Sequence, residues 1–433
     1  MSAPAIGLCL IALLFFQLFA RVPIWIALGI CGIVGNTALN GLSVTQTVTG
    51  TTAFDTASNY GLSVIPLFVL MGDVASGSRL SAELFRAARV ILSGMRGGLS
   101  IATIAASGAF GAVCGSSVAT AATMTRIAIP EMRRADYQDG FAAASVAAGG
   151  SLGILIPPSI ILVIYGAIAE QSVQRLFAAA FIPGLVLLAL YMIIALWIAR
   201  RDPAKAPADP PASLMERLRA LSEPWQFIVL FVVTIGGIYA GVFSPNEAAA
   251  IGAFGAIMLG FIGRRLSFDR LLHCFKTSVT TSCVLFMIII GANLFSNFVV
   301  QTQLPNLLLS AAHAAGMPPL AVMISIVIIY IVLGCFLEGI GMVLITVPVF
   351  LPVVVGYGYS PLWFAIIVVI VVELGLIHPP VGMNLFVIQA QLPDVGIQQL
   401  YKGILPFLIA PFALIILLFL FPQIALWLPS ILY

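Results

Sequence analysis

The sequence predicts an all-α polytopic membrane protein built as an inverted repeat, each half carrying one re-entrant helical hairpin and one broken helix. Three observations predict it. Only 8% of the 433 residues are charged and 61% are hydrophobic, with a mean hydropathy of +1.14. A soluble domain carries about 25% charged residues, so the solvent of this chain is lipid. Two apolar stretches, 97–130 and 319–352, hold 34 residues each, too many for one crossing of about 20 residues and too few for two. Two half-helices meeting near mid-membrane fit that length. Finally, two crossing segments contain paired prolines at matching places, Pro157-Pro158 and Pro379-Pro380.

Apolar segments fall, in order, at 5–20, 22–40, 58–77, 97–130, 138–168, 174–199, 223–243, 245–262, 277–300, 319–352, 361–392 and 402–421. Met1 leads into the first without a basic start or a small-residue cleavage pattern, so no cleavable signal is expected. Cytoplasmic loops carry an excess of Lys and Arg. Arg79, Arg86, Arg89 and Arg96 precede the first hairpin and Arg133 and Arg134 follow it, so it opens toward the cytoplasm. Counting crossings from there brings Arg200, Arg201, Lys205, Arg264, Arg265 and Arg270 to the same side and makes the second hairpin open toward the periplasm. Of the 19 basic residues only Arg175 then falls outside.

Opposite hairpins invite a search for a fixed offset. An offset of 222 carries Pro23 onto Pro245, Pro130 onto Pro352, Gly153 onto Gly375 and Pro157-Pro158 onto Pro379-Pro380. The expected halves are 1–200 and 225–433, joined by a cytoplasmic linker at 201–224 whose proline and charge content leaves room for one short surface helix.

Composition also excludes functions. The net charge of +3 comes from arginines in short loops rather than a patch, which gives no nucleic-acid surface. Six cysteines show no CxxC spacing and read as small buried hydrophobes. With three histidines, no transition-metal site is expected. No nucleophilic triad or phosphate loop is present, so the chain is not expected to be an enzyme.

The chemistry is concentrated at the breaks. Each proline of a pair disfavours helix in the residue before it and lacks an N–H, and backbone at membrane depth stays unpaired only where it lines a cavity or binds something; a kink satisfied by neighbouring helices is the alternative. Centred on 113–114, the first hairpin reads GAVCGSSVATAATM. Glycine permits the turn, and Ser and Thr supply oxygens where the helical ladder ends. The second half-helix begins there, so its N–H groups and positive dipole end point into the membrane. Packing of small residues between helices is the alternative for VATAATM. Among the sparse acidic residues, Asp55 and Glu247 lie at segment ends and Asp73 approaches a membrane edge, where interfacial or capping roles are expected. Glu338, at the second tip, and Glu373, at the second break, are candidate site residues.

The chain resembles the large membrane subunit of tripartite ATP-independent periplasmic (TRAP) transporters, the DctM-type permeases, over nearly its whole length. The resemblance is carried by FVLMGD with MRGGLS, GSSVATAATMTRIAIPEM, FAAASVAAGGSLGILIPPSIILVIYG, GVFSPNEAAAIGAF, LEGIGMVLITVPVFLPV and ELGLIHPPVGMNLF. It implies an elevator-type fold, Na⁺-driven uptake of carboxylates such as C4-dicarboxylates or sialic acid, a bacterial inner-membrane location, a small four-helix membrane subunit and a periplasmic substrate-binding protein. Departures from the family pattern are Thr120 where Asp is expected, His378 where Thr is expected and Asp73 where Glu is expected. With 433 residues and no four-helix extension, the chain is expected to be the separate large subunit rather than a fusion.

Two Na⁺ sites are expected. One combines the first tip (Gly115, Ser116, Ser117) with the first break (Gly150, Ser151, Gly153, Pro157); the other combines Glu338, Gly339 and Gly341 with Gly375, His378 and Pro379. His378 and Glu373 lie five residues apart, and one of them is expected to tune the nearby ion site or make transport pH-sensitive; a packed His378 hydrogen-bonded to backbone is the alternative. The substrate carboxylate is expected near Ser116, Ser117, Thr120 and Asn384. No Lys or Arg lies at either tip, so positive charge must come from bound cations and half-helix N-termini. Competing readings are an autonomous Na⁺- or H⁺-coupled divalent-anion or citrate transporter of related architecture, and an ion channel or membrane scaffold.

Overall fold

A computed structural model describes residues 2–78 and 80–433. Met1 and Arg79, both invoked above, lie outside the described residues. Among these residues there are helices and no strand, only an isolated bridge between Arg96 and Ala208. Among the described residues six helices are long and apolar enough to cross a membrane, or seven counting the bent pair Leu214–Ser222 and Trp225–Tyr239. The outer face is apolar, with Phe16, Ile193, Phe254 and Val332 exposed, while Trp363, Tyr165, Tyr191 and Tyr330 are fully buried. A lipid-facing surface needs no polar coat.

The first hairpin comprises Gly98–Cys114 and Ser117–Arg134. Seventeen residues rise about 25 Å, short of a hydrocarbon core of about 30 Å. Gly115 turns the chain at φ +65°, a left-handed conformation that costs glycine little. Ser116 then caps the second helix, its Oγ accepting from the Ala119 N–H at 3.3 Å. The two arms return to one end: the Leu99 N–H donates to Tyr137 Oη at 3.3 Å, and Thr103 Oγ1 lies 3.6 Å from Met132 Sδ. The expected limit at Pro130 falls short, because Pro130 lies inside the helix one turn before its end. The second hairpin is Pro319–Gly334 and Gly339–Gly356, its arms joined by Thr346 Oγ1 donating to Tyr330 Oη at 2.5 Å.

The first broken helix runs through Asp139–Ser151 and a 3₁₀ turn, Leu152–Ile154, and resumes at Ile160–Ile168. Its break is sealed by Ser159, whose Oγ donates to Ile154 O at 2.5 Å and accepts from the Leu162 N–H at 3.3 Å. The second runs through Pro361–Ile377 and resumes at Met383–Gln391 after Gly382 at φ +63°. Tyr165 Oη donates to Pro361 O at 2.8 Å, tying the first broken helix to the start of the second.

Element boundaries recur at the offset of 222. Ser117–Arg134 shifted by 222 gives 339–356, the bounds of Gly339–Gly356; Leu80–Ile91 gives 302–313, against Leu304–Ala314. The single helix Phe268–Gln301 stands opposite two shorter ones, Leu42–Ser58 and Val64–Gly77. Leu42–Ser58, Leu80–Ile91, Leu304–Ala314 and Gln423–Leu432 are absent from the apolar segments expected above. The first two escape a hydropathy scan because LSVTQTVTGTTAFDTAS and LSAELFRAARVI are too polar; the last two are too short. In the linker, Ser213 and Glu216 form a capping box that starts the short helix Leu214–Ser222; the Ser213 N–H and hydroxyl hold the Glu216 carboxyl below its usual range. Glu247 caps its helix in the same way.

Ion pairs check the parity of crossings. Arg133 pairs with Asp139 at 2.7 Å and Asp394 at 2.6 Å, and Arg265 pairs with Glu83, all at the end reached by the basic loops. Arg175 donates to Tyr433 O at 2.8 Å at the other end. The backbones of Gly140 and Gly403 touch so closely that a Cβ on Gly403 would lie 2.1 Å from Gly140 O. Gly403→Ala should therefore destabilise the protein by about 1–3 kcal/mol, read as a lowered melting temperature in detergent. Gly50→Ala, helical with open space around it, should hold or raise it, since Ala gains about 0.5–1 kcal/mol over Gly in a helix. A Gly403→Ala melt at the wild-type temperature would rule out that backbone contact.

Candidate functional site

Two helix-interrupting turns meet at the first tip. Gly153, just before the unwound stretch, packs against Gly111 so closely that a Cβ on Gly111 would lie 2.5 Å from Gly153 Cα. A Cβ on Gly153 would sit 3.1 Å from Thr120 Oγ1 and 3.2 Å from Ser116 O, and one on Gly115 would sit 3.1 Å from Pro158 O. Glycine lets these oxygens approach the backbone without displacement; a Cβ would push them back by a few tenths of an ångström. Asn384, from the second broken helix, donates through Nδ2 to Ser117 Oγ at 2.6 Å. Thr120 Oγ1 and Asn384 Oδ1 are both buried with no hydrogen-bond partner.

Buried oxygens without donors cost about 1–3 kcal/mol each and mark a place where a cation or water completes the set. Ser116, Ser117, Thr120, Gly115, Gly153 and Asn384 are thus brought together as the sequence suggests. Pro157 lies in the unwound stretch beside them. Gly150 and Ser151 do not unwind: both lie in Asp139–Ser151, with Gly150 against Ala121 and Ser151 Oγ bonded to Ala148 O at 2.9 Å and to Tyr191 Oη at 3.2 Å.

The second tip is the turn Cys335–Glu338. Glu338 precedes the helix Gly339–Gly356, half-buried, its side chain making no cap bond. Gly339 packs on Val372 and Gly375 on Gly334, and Cys335 Sγ lies 3.9 Å from His378 Nδ1 and 4.0 Å from Pro379 O. Glu338, Gly339, Gly375, His378 and Pro379 therefore surround one turn, whereas Gly341 faces Ile24.

Glu373 faces the first break. It is fully buried, both carboxyl oxygens lack hydrogen-bond partners, and it is turned toward the backbone of Leu155 in the first break. Five residues rotate a helix by about 140°, so His378 and Glu373 face different neighbours.

Below the first tip, toward the basic end, lies a cavity of about 680 Å³ lined by Asp73, Thr123, Arg126, Arg270 and His273. Asp73 is not a cap: it sits inside Val64–Gly77 and accepts from Ser278 Oγ at 2.7 Å. Ser76 Oγ and Thr123 Oγ1, 3.2 Å apart, join the walls of the cavity. Arg126 corrects the reading that the arginines lie in loops, because it stands within Ser117–Arg134. Its position nine residues after Ser117 was the available signal.

The model of the family "Tripartite ATP-independent periplasmic transporter, DctM component" matches residues 11–424. The C4-dicarboxylate TRAP transporter large permease protein DctM of Pseudomonas aeruginosa is 35% identical, over 87% of this chain and 88% of its own length. The sialic acid TRAP transporter large permease protein SiaM of Vibrio cholerae is 31% identical over 96% of each. The ectoine/5-hydroxyectoine large permease protein UehC of Ruegeria pomeroyi is 33% identical over 85% of each. In fold, the chain is similar to the Alcanivorax borkumensis YdaH transporter, with TM-score 0.62 at 16% identity, covering 90% of each chain. It is also similar to Neisseria gonorrhoeae MtrF, with TM-score 0.60 at 18% identity, covering 93% of this chain and 94% of the other. The chain belongs to the DctM component family of tripartite ATP-independent periplasmic transporters: it is a multi-pass membrane permease and not an enzyme.

Proposed function

We propose that the chain is the permease of a Na⁺-coupled importer in the bacterial inner membrane, taking up a carboxylate-bearing organic anion delivered by a periplasmic binding protein and working beside a small membrane subunit. The observation that carries the coupling is the pair of partnerless buried oxygens, Thr120 Oγ1 and Asn384 Oδ1, beside Ser116 O at a tip without a basic residue. Hard oxygens suit Na⁺, carried as a co-substrate, with Gly115, Ser116, Thr120 and Gly153 as its seat. Around Glu338, Gly339 and Gly375 the second tip offers the other. The helix N-termini at Ser117 and Gly339 add positive dipole ends for the carboxylate.

The recurrence of element boundaries at 222 supports two inverted halves. An elevator is supported by contacts that bind the second broken helix and the segment after it to the first hairpin and first broken helix, Asn384 to Ser117, Arg133 to Asp394 and Gly140 to Gly403. That unit slides past helices such as Phe268–Gln301 and Ile24–Asn40. The relatives' printed substrates, C4-dicarboxylates, sialic acid and ectoine, define the class to test first. The experiment is uptake into proteoliposomes holding the assembled complex, driven only by an inward Na⁺ gradient. Full replacement of Na⁺ by choline or by a proton gradient would defeat the coupling.

A further inference from the structure

The cavity beneath the first tip carries its own positive charge, unlike the tip. Arg126 comes from the hairpin arm Ser117–Arg134, while Arg270 and His273 come from the facing helix Phe268–Gln301. Arg133 and Arg134, further along the same arm, are paired with Asp139, Asp394 and Glu131. Arg126 and Arg270 make no ion pair among the described residues. Asp73 is the acidic group on the wall, and Ser278 Oγ engages it. Arg126 stands nine residues past Ser117 and seven before Arg133, about 14 Å below the tip and about 10 Å inside the rim along the arm. A solute leaving the tip toward the basic end passes it.

We propose that Arg126, with Arg270 and His273, forms a second anion site, on the cytoplasmic side of the tips, that takes a carboxylate or similar oxyanion without Na⁺. It rests on the reading above that the cargo is an organic anion and that the basic end is cytoplasmic. Arg126, Arg270 and His273 are exposed around one open pocket; like charges there repel each other, and an oxyanion between them offsets that repulsion and accepts paired N–H donors from a planar fork. The tips lack basic side chains and need bound cations to hold an anion; this site does not. Because its two walls belong to different units of the elevator, it is complete only when they face each other, as they do here.

Ala82, which also lines the cavity, gives a reporter. Ala82→Cys is introduced into the full chain with Cys9, Cys274 and Cys283 replaced by Ala, in inside-out membrane vesicles. Labelling by an impermeant maleimide is followed in choline medium against succinate, sulfate and chloride. Succinate should slow labelling, and Arg126→Gln or Arg270→Gln should raise the half-protecting concentration about tenfold, as expected for loss of a charged hydrogen bond. Arg126→Lys should restore most of it, and Ser117→Ala should leave it unchanged. Protection that requires Na⁺, or that disappears in Ser117→Ala, would place the anion at the tips and overturn the proposal; equal protection in Arg126→Gln would do the same. Succinate acting below sulfate assigns the site to the cargo and the reverse order to a free cytoplasmic oxyanion, both as an anion site. No Na⁺ gradient or transport enters this measurement, so failure of Na⁺-coupled uptake and failure of this site are separately visible.

Discussion

Na⁺-driven uptake should fall by at least about a hundredfold when Ser117→Ala is combined with Gly339→Leu, and by about tenfold with Ser117→Ala alone, the cost of leaving a buried amide unpaired. The Asn384 amide loses the acceptor it holds at 2.6 Å. At the second tip even a Cβ on Gly339 would lie 2.6 Å from Val372 Cγ1, so a leucine must push the turn off the second broken helix. Thr120→Val keeps the shape and deletes the partnerless oxygen; it should raise the Na⁺ concentration for half-maximal uptake while the protein remains folded. Initial rates against Na⁺, normalised to the amount of protein in the membrane, make the measurement. A double variant that transports at the wild-type rate would show that the substrate and ions do not sit at these tips.

The large subunit reconstituted alone should take up less than about one-hundredth of what the full system does. A carrier protein docked on the permease presents its substrate at a high effective concentration, and a tip without a basic residue has little affinity of its own to replace that. The comparison is uptake by proteoliposomes with this chain alone, with the small subunit added, and with the binding protein also supplied outside. Robust uptake by the chain alone would favour an autonomous transporter of the same architecture.

The places where helices stop were legible in the sequence because the causes are local. Gly115 followed by Ser116 and Ser117 makes a turn and a cap within three residues, and a proline pair interrupts helical hydrogen bonding whatever surrounds it. Hydropathy located the long helices for the same reason, and missed Leu42–Ser58, polar all round, and Leu80–Ile91, whose polar face lowers the mean. The hairpin limit at Pro130 was misplaced because a proline near a helix end is tolerated when neighbouring groups compensate.

By itself, then, the sequence determined that this chain lives in lipid, where its helices break, and which backbone turns carry Ser, Thr and Gly; each follows from side chains acting on their own few residues. Tertiary structure alone decided which of these turns meet. Asn384 reaches Ser117 across 267 residues, Glu373 faces Leu155 rather than His378, and Arg126 shares a cavity with Arg270. Those pairings depend on the rotation and depth at which each helix docks. A shift of one residue turns a helix by about 100°, and only packing against the other helices fixes that angle.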